Sequence, residues 1–136
     1  MAAFKLTVVT PNRIAYDGEA TFLLVRTTMG DVGIMAHHTN YAAPLVIGTM
    51  KVEFTSKDDA KLAAIGGGFV QVQNNEVTVV TSSCEWQEEI DLPRAQRAAE
   101  RARARIEQSS SEKEVQAAEI KLKLALNRIH VADHKL

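Results

Sequence analysis

The sequence predicts a β-sandwich over residues 1–89 followed by an antiparallel two-helix hairpin over residues 90–136. Three observations predict it. Short segments rich in β-branched residues and bounded by turn residues fill the first part of the chain. Near Glu88 to Asp91 that pattern gives way to apolar residues at spacings of three and four. The charge changes at the same place: residues 1–89 carry six Lys or Arg against ten Asp or Glu, and residues 90–136 carry ten against seven. An acidic body bears a basic tail, which suggests two parts with separate partners.

Phe4 to Thr10 is β-branched and closes at Pro11-Asn12, so it reads as a strand ended by a turn. Thr21 to Thr28 repeats the pattern. Met29 to His38 reads as a hairpin followed by a loop whose exposed side is a candidate contact surface. Met50, Val52 and Phe54 alternate with Lys51 and Glu53, as in a strand with one buried face, and Lys57-Asp58-Asp59 supplies a polar turn. Gly66-Gly67-Gly68 reads as a bulge or close backbone approach directly before a strand opened by Phe69-Val70. Val70 to Gln73 and Val77 to Val79 flank Asn74-Asn75-Glu76; asparagine tolerates positive φ, so a tight hairpin is expected. Strands this short and closely spaced form two packed sheets.

Asp91 is placed to cap the first helix, and Pro93 lies in the first turn, where its missing N–H costs little. Leu92, Ala95, Ala99, Ala102 and Ile106 then form a seam of mostly small residues. Ser111 with Glu114 has capping-box spacing for a second helix, whose seam is Val115, Ala118, Leu122, Ala125 and Ile129. The two seams are expected to face each other. Ile120 and Leu124 lie off the seam, so the second helix needs a further contact, either the sandwich or another protein.

Composition removes several function classes. With 136 residues, 46% hydrophobic, the chain builds one ordinary domain or a compact domain with an appendage. Its net charge of -1 gives no global positive field for nucleic acid. Val32 to Met50 is broken by His37, His38, Asn40, Pro44 and Gly48, so it is no bilayer-spanning helix, and any membrane association is expected to be indirect. The opening Met1-Ala2-Ala3-Phe4-Lys5 has no signal-peptide or transit-peptide pattern. Cys84 has no partner for a disulfide and reads as a buried strand-end residue. The triple glycine lacks the Lys-Ser or Lys-Thr pair of a phosphate loop, and no nucleophile elbow is present. His130 and His134 could share a metal ion, but no third ligand accompanies them; a His- and Lys-bearing helix end complements the macrodipole instead. No metal site is expected. No catalytic group is expected either.

Arg94, Arg97, Arg101 and Arg105 recur at helical spacing as a basic row. One reading is a solvated face partly neutralised by Glu100, Glu107 and Glu119 through weak pairs. The other is a seat for an anionic partner, an acidic protein segment or a nucleotide phosphate.

Several motifs together resemble the epsilon subunit of bacterial F-type ATP synthase. They are Val9-Thr10-Pro11-Asn12-Arg13 with Tyr16-Asp17-Gly18-Glu19, Gly30-Asp31-Val32-Gly33-Ile34 leading to His38, Gly67-Gly68-Phe69-Val70-Gln71-Val72 with Asn75-Glu76-Val77-Thr78-Val79, and Ile90-Asp91-Leu92-Pro93-Arg94-Ala95. Each is weak alone; their order and spacing over almost the whole chain make the match specific. The chloroplast subunit is similar. The resemblance implies a noncatalytic central-stalk subunit on the cytoplasmic face of a bacterial membrane. The sandwich would bind the gamma subunit and the c-ring, with Gly30, Asp31 and His38 facing the ring. The hairpin would switch between a folded form and an extended form that obstructs ATP hydrolysis in the alpha/beta head. No cofactor would be required, but some relatives bind a regulatory ATP, with magnesium, on the folded hairpin. Glu85, Ile90, Asp91, Arg94, Ala95 and Arg128 match those binders' positions. Leu124 departs from them, standing where a binder can place an arginine one turn before Arg128; Arg101 or Lys123 could compensate. Asp91 keeps its capping explanation beside the nucleotide role. The rival reading is a free-standing nucleotide-responsive binding module, separated from the first by copurification with gamma.

Overall fold

Eight strands and two helices follow one another in the computed structural model, which describes residues 2–134. Met1, Lys135 and Leu136, the ends of the two predicted parts, lie outside the described residues. The strands are β1 (Phe4–Val9), β2 (Ile14–Ala20), β3 (Phe22–Thr27), β4 (Gly30–Met35), β5 (Tyr41–Glu53), β6 (Lys61–Gln73), β7 (Glu76–Thr81) and β8 (Cys84–Trp86). The helices are α1 (Leu92–Gln108) and α2 (Glu112–Asp133).

Hydrogen bonding links the strands in the order β2-β1-β7-β6-β5-β3-β4, with β8 beside β6; β1 and β7 are parallel and every other pair is antiparallel. The sheet becomes a sandwich because β5 and β6 belong to both layers. The first half of β6 pairs with β8 at Ala63–Ile65, and its second half pairs with β7 from Gly68 to Gln73. Between the inner faces lie the fully buried Phe4, Leu6, Val8, Leu23, Val25, Ile34, Met50, Val52, Ile65, Val70, Val77 and Val79. Each such side chain contributes roughly 1.5–3 kcal/mol of burial, which is how alternating β-branched sequence becomes a stable body.

The triple glycine differs from its expected place: Gly66 to Gly68 lies inside β6, not before a strand. The physical reason is a bulge. Gly67 and Gly68 have φ of +96° and +143°, and a Cβ on Gly68 would stand 1.8 Å from the Val80 carbonyl oxygen. Only glycine lets β6 pass this close to β7. The freed backbone groups find Thr81, Ser82 and Ser83, for example Gly66 N to Ser83 O at 3.0 Å and Ser82 N to Gly67 O at 3.1 Å. At the other end of β6, Asn74 and Asn75 both take positive φ, forming the tight turn expected of them.

Asp91 caps α1, its Oδ1 accepting from Arg94 N at 3.1 Å, and Ser111 caps α2 through Glu114 N at 3.4 Å. The second half of the predicted capping box is not made. Glu114 instead accepts from the Ser109 hydroxyl at 2.8 Å, and that hydroxyl receives Ser111 N. Ala95, Ala99 and Ala102 of α1 and Ala118 and Ala125 of α2 are buried, so the small-residue seams do pack together. Ile120 remains 54% exposed.

Candidate functional site

Four contacts fasten α2 to the sandwich. Asn127 Nδ2 donates to the Gly48 carbonyl at 2.8 Å, on β5. Arg128 forms an ion pair with Glu85 of β8. Gln87 Nε2, in the one-turn helix Gln87–Glu89, donates to the Val131 carbonyl at 2.8 Å. Val131 itself is fully buried against Leu62 and Ala64 of β6, with Ile90 packed beside them. This apolar patch is small compared with the sandwich core, so much of the dock is polar.

Between the helices lies an open cleft of about 610 Å³. Four cations line it, Arg101 and Arg105 from α1 and Lys121 and Arg128 from α2, against one carboxylate, Glu114. Leu124 and Ala102 give it an apolar floor. Cations gathered around small and apolar side chains give the cleft a positive lining beside an apolar one, the chemistry that an anionic ligand with an apolar part requires.

The structure brings some of the six matched nucleotide positions together. Glu85 and Arg128 touch, and Arg128 reaches the cleft. Ile90 packs toward Val131, Ala95 is buried in the helix seam, and Asp91 is occupied as the cap of α1. Arg94 is exposed and does not line the cleft. Of the two suggested substitutes for a missing arginine, Arg101 lines the cleft and Lys123 does not. Lys121 went unnoticed in the sequence, although its spacing of seven from Arg128 places both on one helix face. Among the described residues, Arg94, Arg97, Arg101 and Arg105 form no ion pair, and Glu100, Glu107 and Glu119 do not neutralise them. Nor do three His, Cys, Asp or Glu side chains among the described residues gather as a metal site.

The predicted ring-facing residues do not form one patch. Gly30 and Asp31 sit at the tip of the β3–β4 hairpin beside Met29, which is 92% exposed, with Asp31 paired to Arg26 at 3.0 Å. His38 lies beyond the other end of β4, stacked edge-on against Tyr41 with ring centroids 5.9 Å apart. Six strand residues separate the two ends by roughly 17 Å.

A second surface was not foreseen. Register places Ile14, Val9, Val80, Phe69 and Pro44 opposite one another across five strands. Their neighbours Val8, Val79 and Val70 are fully buried, so this apolar row faces outward, with Ile14 65% and Phe69 46% exposed. The next row on that face is Thr7, Thr78, Gln71 and Ala42. The signal lay in register, which a single strand does not reveal.

Cys84 is buried at the start of β8, as expected of it, and burial pushes its thiol up to about 11. At pH 7 it is a protonated, inert side chain.

A family model described as "ATP synthase, Delta/Epsilon chain, beta-sandwich domain" matches residues 3–87, and one described as "ATP synthase, Delta/Epsilon chain, long alpha-helix domain" matches residues 88–133. The ATP synthase epsilon chain of Ruminococcus albus is 43% identical over 136 residues, spanning 99% of this chain and 100% of that one. That of Caldanaerobacter subterraneus subsp. tengcongensis is 42% identical over 131 residues, spanning 95% and 93%. A chain in the Euglena gracilis mitochondrial ATP synthase, OSCP/F1/c-ring in rotational state 1, superposes with a TM-score of 0.83 at 27% identity, covering 98% of this chain and 83% of that one. A chain of the Tetrahymena thermophila mitochondrial ATP synthase central stalk and c-ring shares the fold, with a TM-score of 0.65 at 18% identity, covering 94% and 95%. Among the described residues no helix is long and apolar enough to cross a membrane.

Proposed function

The chain belongs to the delta/epsilon family of ATP synthase subunits, and from that premise we propose that its sandwich is a coupling body and its hairpin a detachable brake. It is a noncatalytic central-stalk subunit of a membrane-associated rotary enzyme, with gamma and the c-ring as partners. The finer assignments are our reading. The outward row from Ile14 to Pro44 seats gamma, because it is a continuous apolar strip across an otherwise polar sheet face. The hairpin tip at Met29, Gly30 and Asp31 meets the c-ring, with His38 a separate contact at the far end of β4. The complex stands on the cytoplasmic face of a bacterial membrane.

The observation that carries the brake is the way the two parts are joined. Asn127, Arg128, Gln87 and one buried valine hold α2 to the sandwich, while the basic row on α1 forms no ion pair among the described residues. A helix pair held this lightly can leave, and its arginines can then engage acidic segments of the alpha/beta head. Regulatory ATP, with or without magnesium, binds the folded form in the cleft of Arg101, Arg105, Lys121 and Arg128 and so favours release of the brake.

Truncation after Glu89 tests both halves of this reading. The shortened chain is expected to fold, bind gamma, and raise ATP hydrolysis in the reconstituted enzyme. Replacing Arg94, Arg97, Arg101 and Arg105 by alanine in the full chain should raise it in part. Unchanged hydrolysis with intact assembly rejects the brake; loss of gamma binding by a folded truncated chain rejects the division of labour.

A further inference from the structure

The last carbonyls of an α-helix have no partner within it. At the end of α2 the Val131 carbonyl accepts from the N–H of the capping residue His134 at 3.2 Å, and one side chain from another part of the molecule reaches both that carbonyl and the next one beyond the helix: Gln87 Nε2 donates to Val131 O at 2.8 Å and to His134 O at 2.5 Å. Gln87 precedes Val131 by 44 positions and lies outside both helices. Its own turn is fixed to the sandwich from the other side. Arg13 grips the Glu89 carboxylate with two bonds of 2.8 and 2.6 Å and gives a third, 2.8 Å, to the Cys84 carbonyl. Glu89 also accepts from Trp86 N at 2.9 Å, and Lys61 pairs with Glu88 at 3.2 Å.

We infer that Gln87 is the latch of the folded hairpin, a sandwich-borne amide that caps α2, and that release turns about Ile90 and Asp91 and leaves Gln87 behind. The proposal rests on the reading of the hairpin as a movable part. Its chemistry is specific. One nitrogen with two protons serves two carbonyls at the negative end of the helix dipole, so the position demands a multiple donor. Glutamate offers no proton there and adds a repelling charge. Lysine keeps the donors and adds a favourable charge. The clasp of Arg13 on Glu89 makes the turn part of the sandwich, which places the pivot after Glu89 and before the first turn of α1.

Hydrogen exchange of the full-length chain tests this directly. A hydrogen bond shifts an equilibrium by roughly twofold to tenfold, so losing both should speed exchange of the amides from Asn127 to Asp133 by about tenfold or more in Gln87→Glu. Gln87→Ala should give a smaller acceleration and Gln87→Lys a rate near that of the unsubstituted chain, with β1 and β7 unchanged in all three. Equal rates in the glutamate and lysine variants would overturn the latch. Loss of protection at Trp86 to Glu89 together with α2 would overturn the pivot. In the reconstituted enzyme Gln87→Glu should lower ATP hydrolysis by enlarging the extended population. Accelerated exchange with unaltered hydrolysis would leave the latch standing and reject the brake.

Discussion

Replacing Leu124 by arginine should convert a weak anion cleft into a stronger one. Leu124 lines the cleft one helical turn before Arg128, half-buried, and faces a space of about 610 Å³ that already holds four cations and one carboxylate. A charge-assisted hydrogen bond contributes ~1.5–3 kcal/mol, so a fifth cation reaching a phosphate should tighten ATP binding by roughly tenfold to a hundredfold. The empty cleft should suffer. An added charge beside like charges in water-like surroundings costs at most ~1 kcal/mol per cation, falling with distance, and some apolar burial is lost. Leu124→Arg should therefore lower the unfolding temperature of the free hairpin and raise it in saturating ATP, since a ligand stabilises the state it binds. Calorimetric titration of the isolated full chain, with and without magnesium, measures the affinity. Arg101→Ala should weaken binding, and Arg94→Ala decides between the cleft and the helix-start motif as the place where phosphate sits. No binding at millimolar ATP, or an affinity indifferent to both Leu124→Arg and Arg101→Ala, refutes the cleft as the nucleotide site.

Two further predictions concern the body that carries it. The Arg13 hydrogen bonds hold the Glu89 carboxyl below its ordinary value of 4.5, so the clasp stabilises the fold above that pH and is lost as pH falls through the lowered value. The pair is partly solvated, which limits it to under ~1 kcal/mol; the stability gap between wild type and Arg13→Ala should be full above the ordinary carboxylate value and narrow as pH falls through the lowered one, and a gap independent of pH in chemical denaturation would count against it. Gly68→Ala places a Cβ 1.8 Å from the Val80 carbonyl oxygen at a φ of +143°, so it should cost more than ~3 kcal/mol. A thermal midpoint within about one degree of wild type would show that β6 passes β7 differently.

The hairpin was legible because helical periodicity, caps and small-residue seams are local signals. Asp91, Ser111 and the alanines appear where their spacing puts them. The sandwich was legible as a class, and β1, β3 and β7 as strands, but not β2 or β8, nor the lengths of β5 and β6. Pro44, Gly48 and the three glycines interrupt the apolar pattern, yet β5 and β6 run through them for 13 residues each, because Pro44 turns its carbonyl to Thr28 N, away from β6, so its missing N–H costs that pairing no bond, and glycine serves a bulge. Asp17-Gly18-Glu19 hid β2, an edge strand whose polar residues face water. The cleft was half visible: Arg101, Arg105 and Arg128 stood out, while Lys121 did not. Gln87 carried no periodic signal at all, since its role arises only when α2 ends beside it.

The two 13-residue strands have a mechanical meaning for a part that turns with a shaft. A twist entering at Pro44 and Phe69 reaches the layer bearing β3 and β4 without crossing a loop, because the same two backbones continue into it. Their ladder bonds lie perpendicular to the strands, so a pull along the strands loads many bonds side by side instead of peeling them one after another. The body should therefore wind up little between its two grips, leaving elastic lag to the shaft around it.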